Sequence, residues 1–359
     1  MKQIISVIVA LLSINYSVAN NIVYMNSDQN CYKNCNQDNH KKSNQNCYKN
    51  CNNNHSNYNI IFTNTDIDIY KSIIQDYITN NCSTNNCGTN NCNINNCGTN
   101  YCNTNNNSKK NNHTNNCNTN SSKSLSQILI EIAKQRLNTP YVAGTLDKNP
   151  DTENLIINLH ETDCILFVES CLALALTAKS NDTSITNFIN FIKNLRYKDG
   201  VVDGYTSRIH YTSEWILQGE ANGFFKDISK ELSGIPINNP ISFISNHSDK
   251  YEHLKKYSAD IQKIKTTEEN INAKTFYYIP KNKVPNIINK LKNGDIVCFN
   301  TSIKGLDISH VGIIYINNGI TTFIHASSMA QKTIIEKKSL IEYINGIKSN
   351  NGIRILRPL

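Results

Sequence analysis

No apolar run in this 359-residue chain reaches the roughly 20 residues that a membrane-spanning helix needs. The stretch at residues 4–12 is too short. With Lys2 ahead of it and Ser17, Val18 and Ala19 behind, it reads as a secretory signal over residues 1–19. No cysteine follows it directly, which argues against a lipoprotein anchor. The expected protein is therefore exported, periplasmic or extracellular, without stable membrane insertion. Basic stripes interleaved with aromatics are also missing, so the net charge of +8 does not argue for nucleic acid. No phosphate-cradling glycine loop occurs, and no cofactor or resident metal is expected. Apolar residues make up only 39%, and the deficit lies in the first third.

That first third is rich in asparagine and cysteine. In the segment 20–58 the heptapeptide Asn-Cys-Tyr-Lys-Asn-Cys-Asn occurs twice, at 30–36 and 46–52, followed by His40 and His55. Such pairs could bind zinc or be oxidised outside the cell, but the spacing matches no zinc finger well. The segment has too little apolar surface to offset chain entropy, so no fixed fold is expected. In the insertion 79–121, cysteines recur every five residues at Cys82, Cys87, Cys92, Cys97 and Cys102. This repeat offers only cysteine for burial, so a packed solenoid is not expected. Between the two tracts, apolar residues at helical spacing predict an amphipathic helix over 66–78.

From Ser122 to the end the chain has the pattern of a folded domain. Ser124 is a candidate cap for a helix that stops before Pro140. The run from 164 to 178 has almost no polar face and predicts a buried helix. Another helix is expected over 184–195. Strands are expected at 296–299, 310–316 and 320–326, the last two joined by an Asn-Asn-Gly turn. A short helix at 339–344 and an edge strand at 353–356 complete the pattern. Residues 208–215 hold Arg208, Tyr211 and the single tryptophan, Trp215. They suit either a sugar- or peptide-binding groove or ordinary helix packing, since Tyr211 and Trp215 lie one turn apart.

Cys164 lies at the start of the buried helix. A helix N-terminus favours a thiolate, so Cys164 is a candidate nucleophile as well as a candidate core cysteine. A thiolate nucleophile needs a histidine base and a polar group to orient that base. His310 starts one expected strand and His325 ends the next, so the hairpin makes them cross-strand neighbours. The same three residues could also ligate zinc, a less favoured reading. Cys171 and Cys298 read as core.

The order Pro140-Tyr141-Val142-Ala143-Gly144, Asp163-Cys164, Arg208-Ile209-His210-Tyr211 and Ser309-His310-Val311-Gly312, followed by His325-Ala326-Ser327, resembles the NlpC/P60 cysteine peptidases, most closely their DUF1460 branch. The resemblance covers residues 60–78 and 122–359. It implies an α+β, papain-like fold: an antiparallel sheet packed against a buried helix carrying the nucleophilic cysteine. One catalytic domain would span 59–359, with the 79–121 insertion inside it. The resemblance further implies hydrolysis of N-acetylmuramoyl-L-alanine in peptidoglycan fragments. Cys164 would be nucleophile, His310 base and then acid, His325 the orienting residue and Tyr141 an oxyanion donor. Asp163, Arg208, Tyr211, Trp215 and Ser309 would meet the peptidoglycan or muropeptide substrate. One alternative is a γ-D-glutamyl–diamino acid endopeptidase, although Ile165 stands where that commoner branch has serine. Another is a Cys-rich metal-binding or surface protein on an inactive hydrolase domain. Nothing in the sequence speaks to oligomeric state.

Overall fold

The computed structural model describes residues 22–26, 58–81 and 123–359. Four helices gather on one face of a long sheet: α1 (Asn64–Asn81), α2 (Leu125–Gln135), α3 (Cys164–Lys179) and α4 (Ile185–Arg196). The grouping follows from α3, in which every residue from 166 to 175 is buried. A helix with no polar face has to be enclosed on all sides. Helices α1, α2 and α4 flank it, and the sheet closes the remaining side. Its buried polar members are paired. Glu169 accepts from Arg196 at 2.9 and 2.5 Å, and Ser170 accepts from Arg136 at 3.1 Å. Ser124 caps α2 in a reciprocal box with Gln127, and Ser184 caps α4.

The strands are β1 (Ile22–Asn26), β2 (Asn59–Thr63), β3 (Leu155–Ile156), β4 (Phe225–Asp227), β5 (Ile235–Pro236), β6 (Tyr277–Pro280), β7 (Ile296–Thr301), β8 (Ile308–Asn317), β9 (Ile320–Ser327), β10 (Lys332–Ile335) and β11 (Asn350–Pro358). A small sheet has the order β1-β2-β3. The large one runs β10-β9-β8-β7-β11-β6-β5, with β4 added on β11, and its pairs are antiparallel. The protein is thus α+β. Both faces of the large sheet are covered. Ile296 and Cys298 face the helices, while Val297 and Phe299 face a second core with Leu340 and Ile344. Burial on both faces explains why β7 reads as an unbroken apolar run. Between β8 and β9, Asn318 (φ 49°) and Gly319 (φ 78°) make the left-handed turn expected of this hairpin.

Two expectations are corrected. Residues 353–356 belong not to an edge but to β11, which lies between β7 and β6. Its Arg354 is wholly buried, 2.8 Å from Asp227 and 3.0 Å from Ser213, and an edge position would leave that network open to water. Residues 22–26, inside the tract expected to lack a fold, form β1. Their Ile-Val-Tyr-Met sequence is strand-forming and pairs with Ile60–Thr63 of β2 through the register Ile22↔Thr63 to Met25↔Ile60. The signal at 1–19, the rest of the 20–58 tract and residues 82–121 lie outside the described residues. Among the described residues, no helix is long and apolar enough to cross a membrane.

Candidate active site

The site lies where α3 begins and where β8 and β9 part. Asp163 starts α3 by accepting from the Leu166 N–H at 3.0 Å, which puts Cys164 in the first turn. Tyr141 runs beside this start. It forms a parallel bridge with Thr162, and its N–H donates to Gln331 O at 3.0 Å. The segment therefore ties the entry to α3 to the β9–β10 hairpin.

The β8–β9 ladder runs from Asn317↔Ile320 to Ile313↔Ile324 and goes no further, while β9 continues to Ser327 along β10 on its other edge. On β8 the Ile314 N–H donates to Asp295 O at 2.7 Å, on the β7 side. Backbone groups alternate along a strand, so odd-numbered residues point toward β9. Past Ile313 that side is open, and the Val311 N–H faces the Cys164 thiol. His310 and His325 sit on the opposite pleat. His310 Nε2 lies 2.7 Å from His325 Nδ1, with the rings edge to face at 86°. Among the described residues no hydrogen bond joins Cys164 Sγ to His310.

The helix start does not lower the thiol as expected. Burial pushes Cys164 up to about 12, and the Asp163 carboxylate adds to the rise. The N–H groups of Val311, Ile165 and Cys164 itself oppose that rise without cancelling it. Burial raises Asp163 to about 6. It also lowers His325 to about 4 and, helped by the charge of His325, holds His310 well below its ordinary range. Thiol and imidazoles therefore rest neutral near pH 7. Burial also raises the Tyr141 hydroxyl, with Cys164 and Asp163 adding to it.

Tyr141, Asp163 and Cys164 lie together at the start of α3, Cys164 meets β8 at the Val311 N–H, and the adjacent residue on β8, His310, pairs with His325. Ser309 lies beside them on β8, its hydroxyl donating to Phe299 O at 3.2 Å. Arg208 stands in a separate recess. It is buried, with Nη2 2.5 Å from Asp147 and Nε 3.5 Å from Glu153. It lines a cavity of about 120 Å³ that begins at Ala143 and Gly144, two residues beyond Tyr141. Tyr211 and Trp215 are not substrate contacts, because both are core. Tyr211 is 2% exposed, donates to Glu268 at 2.7 Å and accepts from the Ile244 N–H at 2.8 Å. Trp215 is 3% exposed, with its ring 4.8 Å from that of Phe225. One turn of chain carries both rings into packing. Among the described residues no cluster of three or more His, Cys, Asp or Glu side chains could hold a metal.

Two neighbours of these residues carry no mark in the sequence. The Val311 N–H carries no side-chain signal. Glu336, 3.5 Å from His325 Nε2, follows β10 with nothing local to mark it.

Residues 131–353 match the family model for N-acetylmuramoyl-L-alanine amidase-like proteins. An N-acetylmuramoyl-L-alanine amidase from Bacteroides uniformis ATCC 8492 is 34% identical, with a TM-score of 0.62, over 66% of this chain and 99% of that one. A Bacteroides fragilis protein provisionally named a xylanase is 37% identical, with a TM-score of 0.61, over 63% of this chain and 99% of that one. A Legionella pneumophila protein of the DUF1460 family shares the fold at 23% identity and a TM-score of 0.50, over 66% and 90% of the two chains. No curated protein matches the chain.

Proposed function

The chain belongs to the N-acetylmuramoyl-L-alanine amidase-like family, and we propose that it is an exported cysteine amidase of the NlpC/P60, papain-like type, cleaving between N-acetylmuramic acid and L-alanine in peptidoglycan fragments. One observation carries the cysteine mechanism. The Cys164 thiol faces the Val311 N–H, and the preceding residue, His310, is bonded through Nε2 to His325.

In this reading His310 keeps its proton on Nε2, toward His325, and offers bare Nδ1 to the thiol. The Cys164 proton moves to Nδ1 as sulfur attacks the lactyl carbonyl carbon. Charge then builds on the carbonyl oxygen, where a backbone N–H at the start of α3 and the Tyr141 hydroxyl stabilise it. The C–N bond breaks as His310 gives its proton to the departing L-alanine nitrogen. Water, deprotonated by His310, then cleaves the thioester and restores the thiol. A resting neutral thiol suits this sequence, since thiolate and imidazolium arise together at attack. Glycoside hydrolysis calls on two carboxylates flanking one bond. Here one carboxylate, Asp163, caps α3 next to Cys164, and the other titratable pair is two imidazoles.

The test is incubation with disaccharide-containing muropeptides and mass spectrometry of the products. Free stem peptide is expected from the parent and not from Cys164→Ala. An L-Ala–D-Glu fragment would instead identify a γ-D-glutamyl endopeptidase. Equal cleavage by Cys164→Ala would sink the cysteine mechanism.

A further inference from the structure

His325 is almost fully enclosed, yet its Nε2 has no hydrogen-bond partner. The ring nitrogen on the other side, Nδ1, is engaged by His310 at 2.7 Å. A His310 that offers Nδ1 to the thiol must donate from Nε2, so His325 must accept at Nδ1 and carry its own proton on Nε2. The imidazole packs among aromatic rings. Phe323 is 4.7 Å away and Tyr343 6.0 Å, centroid to centroid. A buried N–H without an acceptor is costly, and the alternative tautomer would aim a proton at His310 instead. The carboxylate in reach is Glu336, whose Oε2 lies 3.5 Å from His325 Nε2. The titratable groups facing His325 are thus His310 from β8, Tyr343 from the helix Leu340–Gly346, and Glu336.

Glu336 is itself held in place. Its N–H donates to Phe323 O at 2.9 Å, and the Thr322 hydroxyl donates to its carbonyl at 2.8 Å. Its Oε1 accepts from the Lys338 N–H at 3.0 Å. One carboxylate oxygen is therefore occupied, and the other faces the imidazole. We propose that Glu336 is a positioning residue for this site: its carboxylate selects the Nε2–H tautomer of His325, which in turn leaves His310 Nδ1 bare toward Cys164. The proposal rests on the cysteine mechanism above. It adds a fourth member to the chain Cys164–His310–His325, one that touches neither substrate nor sulfur. Neutral His325, kept so by burial, can both accept and donate, as a relay needs.

Glu336→Gln is the decisive variant. Glutamine has one acceptor oxygen, and the Lys338 N–H and the His325 N–H compete for it. With its oxygen on Lys338, the amide NH₂ meets His325 Nε2 and favours the wrong tautomer. The expected result is a drop in kcat of about tenfold with KM unchanged, and an acid limb of kcat/KM moved about one pH unit lower, because the carboxylate no longer supports the imidazolium. Glu336→Asp, which keeps two acceptor oxygens, is expected to restore part of kcat. Nitrogen-15 spectra of labelled histidine read the tautomer directly, without substrate. The His325 signals, assigned by their loss in His325→Asn, should change from the Nε2–H to the Nδ1–H pattern in Glu336→Gln. Unchanged tautomer signals together with a parental kcat and acid limb would overturn the proposal, even with Cys164→Ala inactive. An active Cys164→Ala would overturn the cysteine mechanism instead, and the spectra would still report on Glu336.

Discussion

Gly312 lies across the strand pair from His325, and a Cβ there would come within 2.7 Å of the Phe323 ring and 3.4 Å of the His325 Cβ. The missing side chain lets the His310 ring reach diagonally over to His325. In the register set by Ile313↔Ile324, His310 and His325 are diagonal rather than direct partners, so the space between them belongs to residue 312. Gly312→Ala is expected to cost about 1–3 kcal/mol by overpacking. It should also lower kcat by about tenfold or more, because the 2.7 Å contact opens. Urea unfolding and muropeptide kinetics on one preparation would measure both. Parental kcat in the variant would disprove this account of the diagonal pair.

The two histidines also set a pH dependence of stability. Both are held below the ordinary 6.5, His325 at about 4 and His310 well down, by burial. The unfolded chain binds their protons more readily, so their contribution is complete above pH 6.5 and is lost as pH falls toward 4. For His325 this amounts to about 3 kcal/mol. Asp163, raised to about 6, works in the opposite sense, favouring the folded state at low pH and losing that effect as pH rises from 3.8 to about 6. The difference between the parent and a His310→Asn/His325→Asn double variant isolates the histidines. That difference should fall steadily between pH 6.5 and 4; a flat difference would contradict it.

Arg208 supports the recess beside the site by meeting two carboxylates, Asp147 at 2.5 Å and Glu153 at 3.5 Å. Its Ala variant leaves Glu153, whose side chain is 7% exposed, with the Tyr197 hydroxyl at 2.8 Å but without the guanidinium. The expected loss is about 3–5 kcal/mol, as for one partner of a buried pair. Arg208→Lys should recover little of it, since a single ammonium cannot replace the planar fork. Denaturation midpoints check both variants, and near-parental stability of Arg208→Ala would refute the pairing.

Trp215 separates packing from binding. With 3% of its surface exposed, Trp215→Ala should cost about 3–5 kcal/mol while KM for muropeptides stays at the parental value. A raised KM in a folded variant would return Trp215 to the substrate groove.

Much of the fold was legible because each element announces itself locally. Ser124 caps the helix expected of it, the helix expected over 184–195 forms at Ile185–Arg196, the polar-free run after Asp163 is the enclosed helix α3, and Asn318-Gly319 turns β8 into β9. The strand β11 was misplaced because its run, Ile353 to Leu356, is apolar apart from Arg354, and only the distant Asp227 and Ser213 show that this arginine is buried and paired. Tyr211 and Trp215 were ambiguous because their one-turn spacing serves a groove and a core equally well.

Sequence alone determined which residues could do the chemistry: a cysteine opening an apolar helix and two histidines on strands joined by a tight turn. Those are matters of residue type and short-range spacing. Tertiary structure decided how they are arranged, because that depends on where pairing stops. The β8–β9 ladder ends at Ile313↔Ile324, which turns the Val311 N–H toward the Cys164 thiol. Enclosure from all sides then raises that thiol against the pull of the helix start, an effect that no stretch of sequence carries by itself.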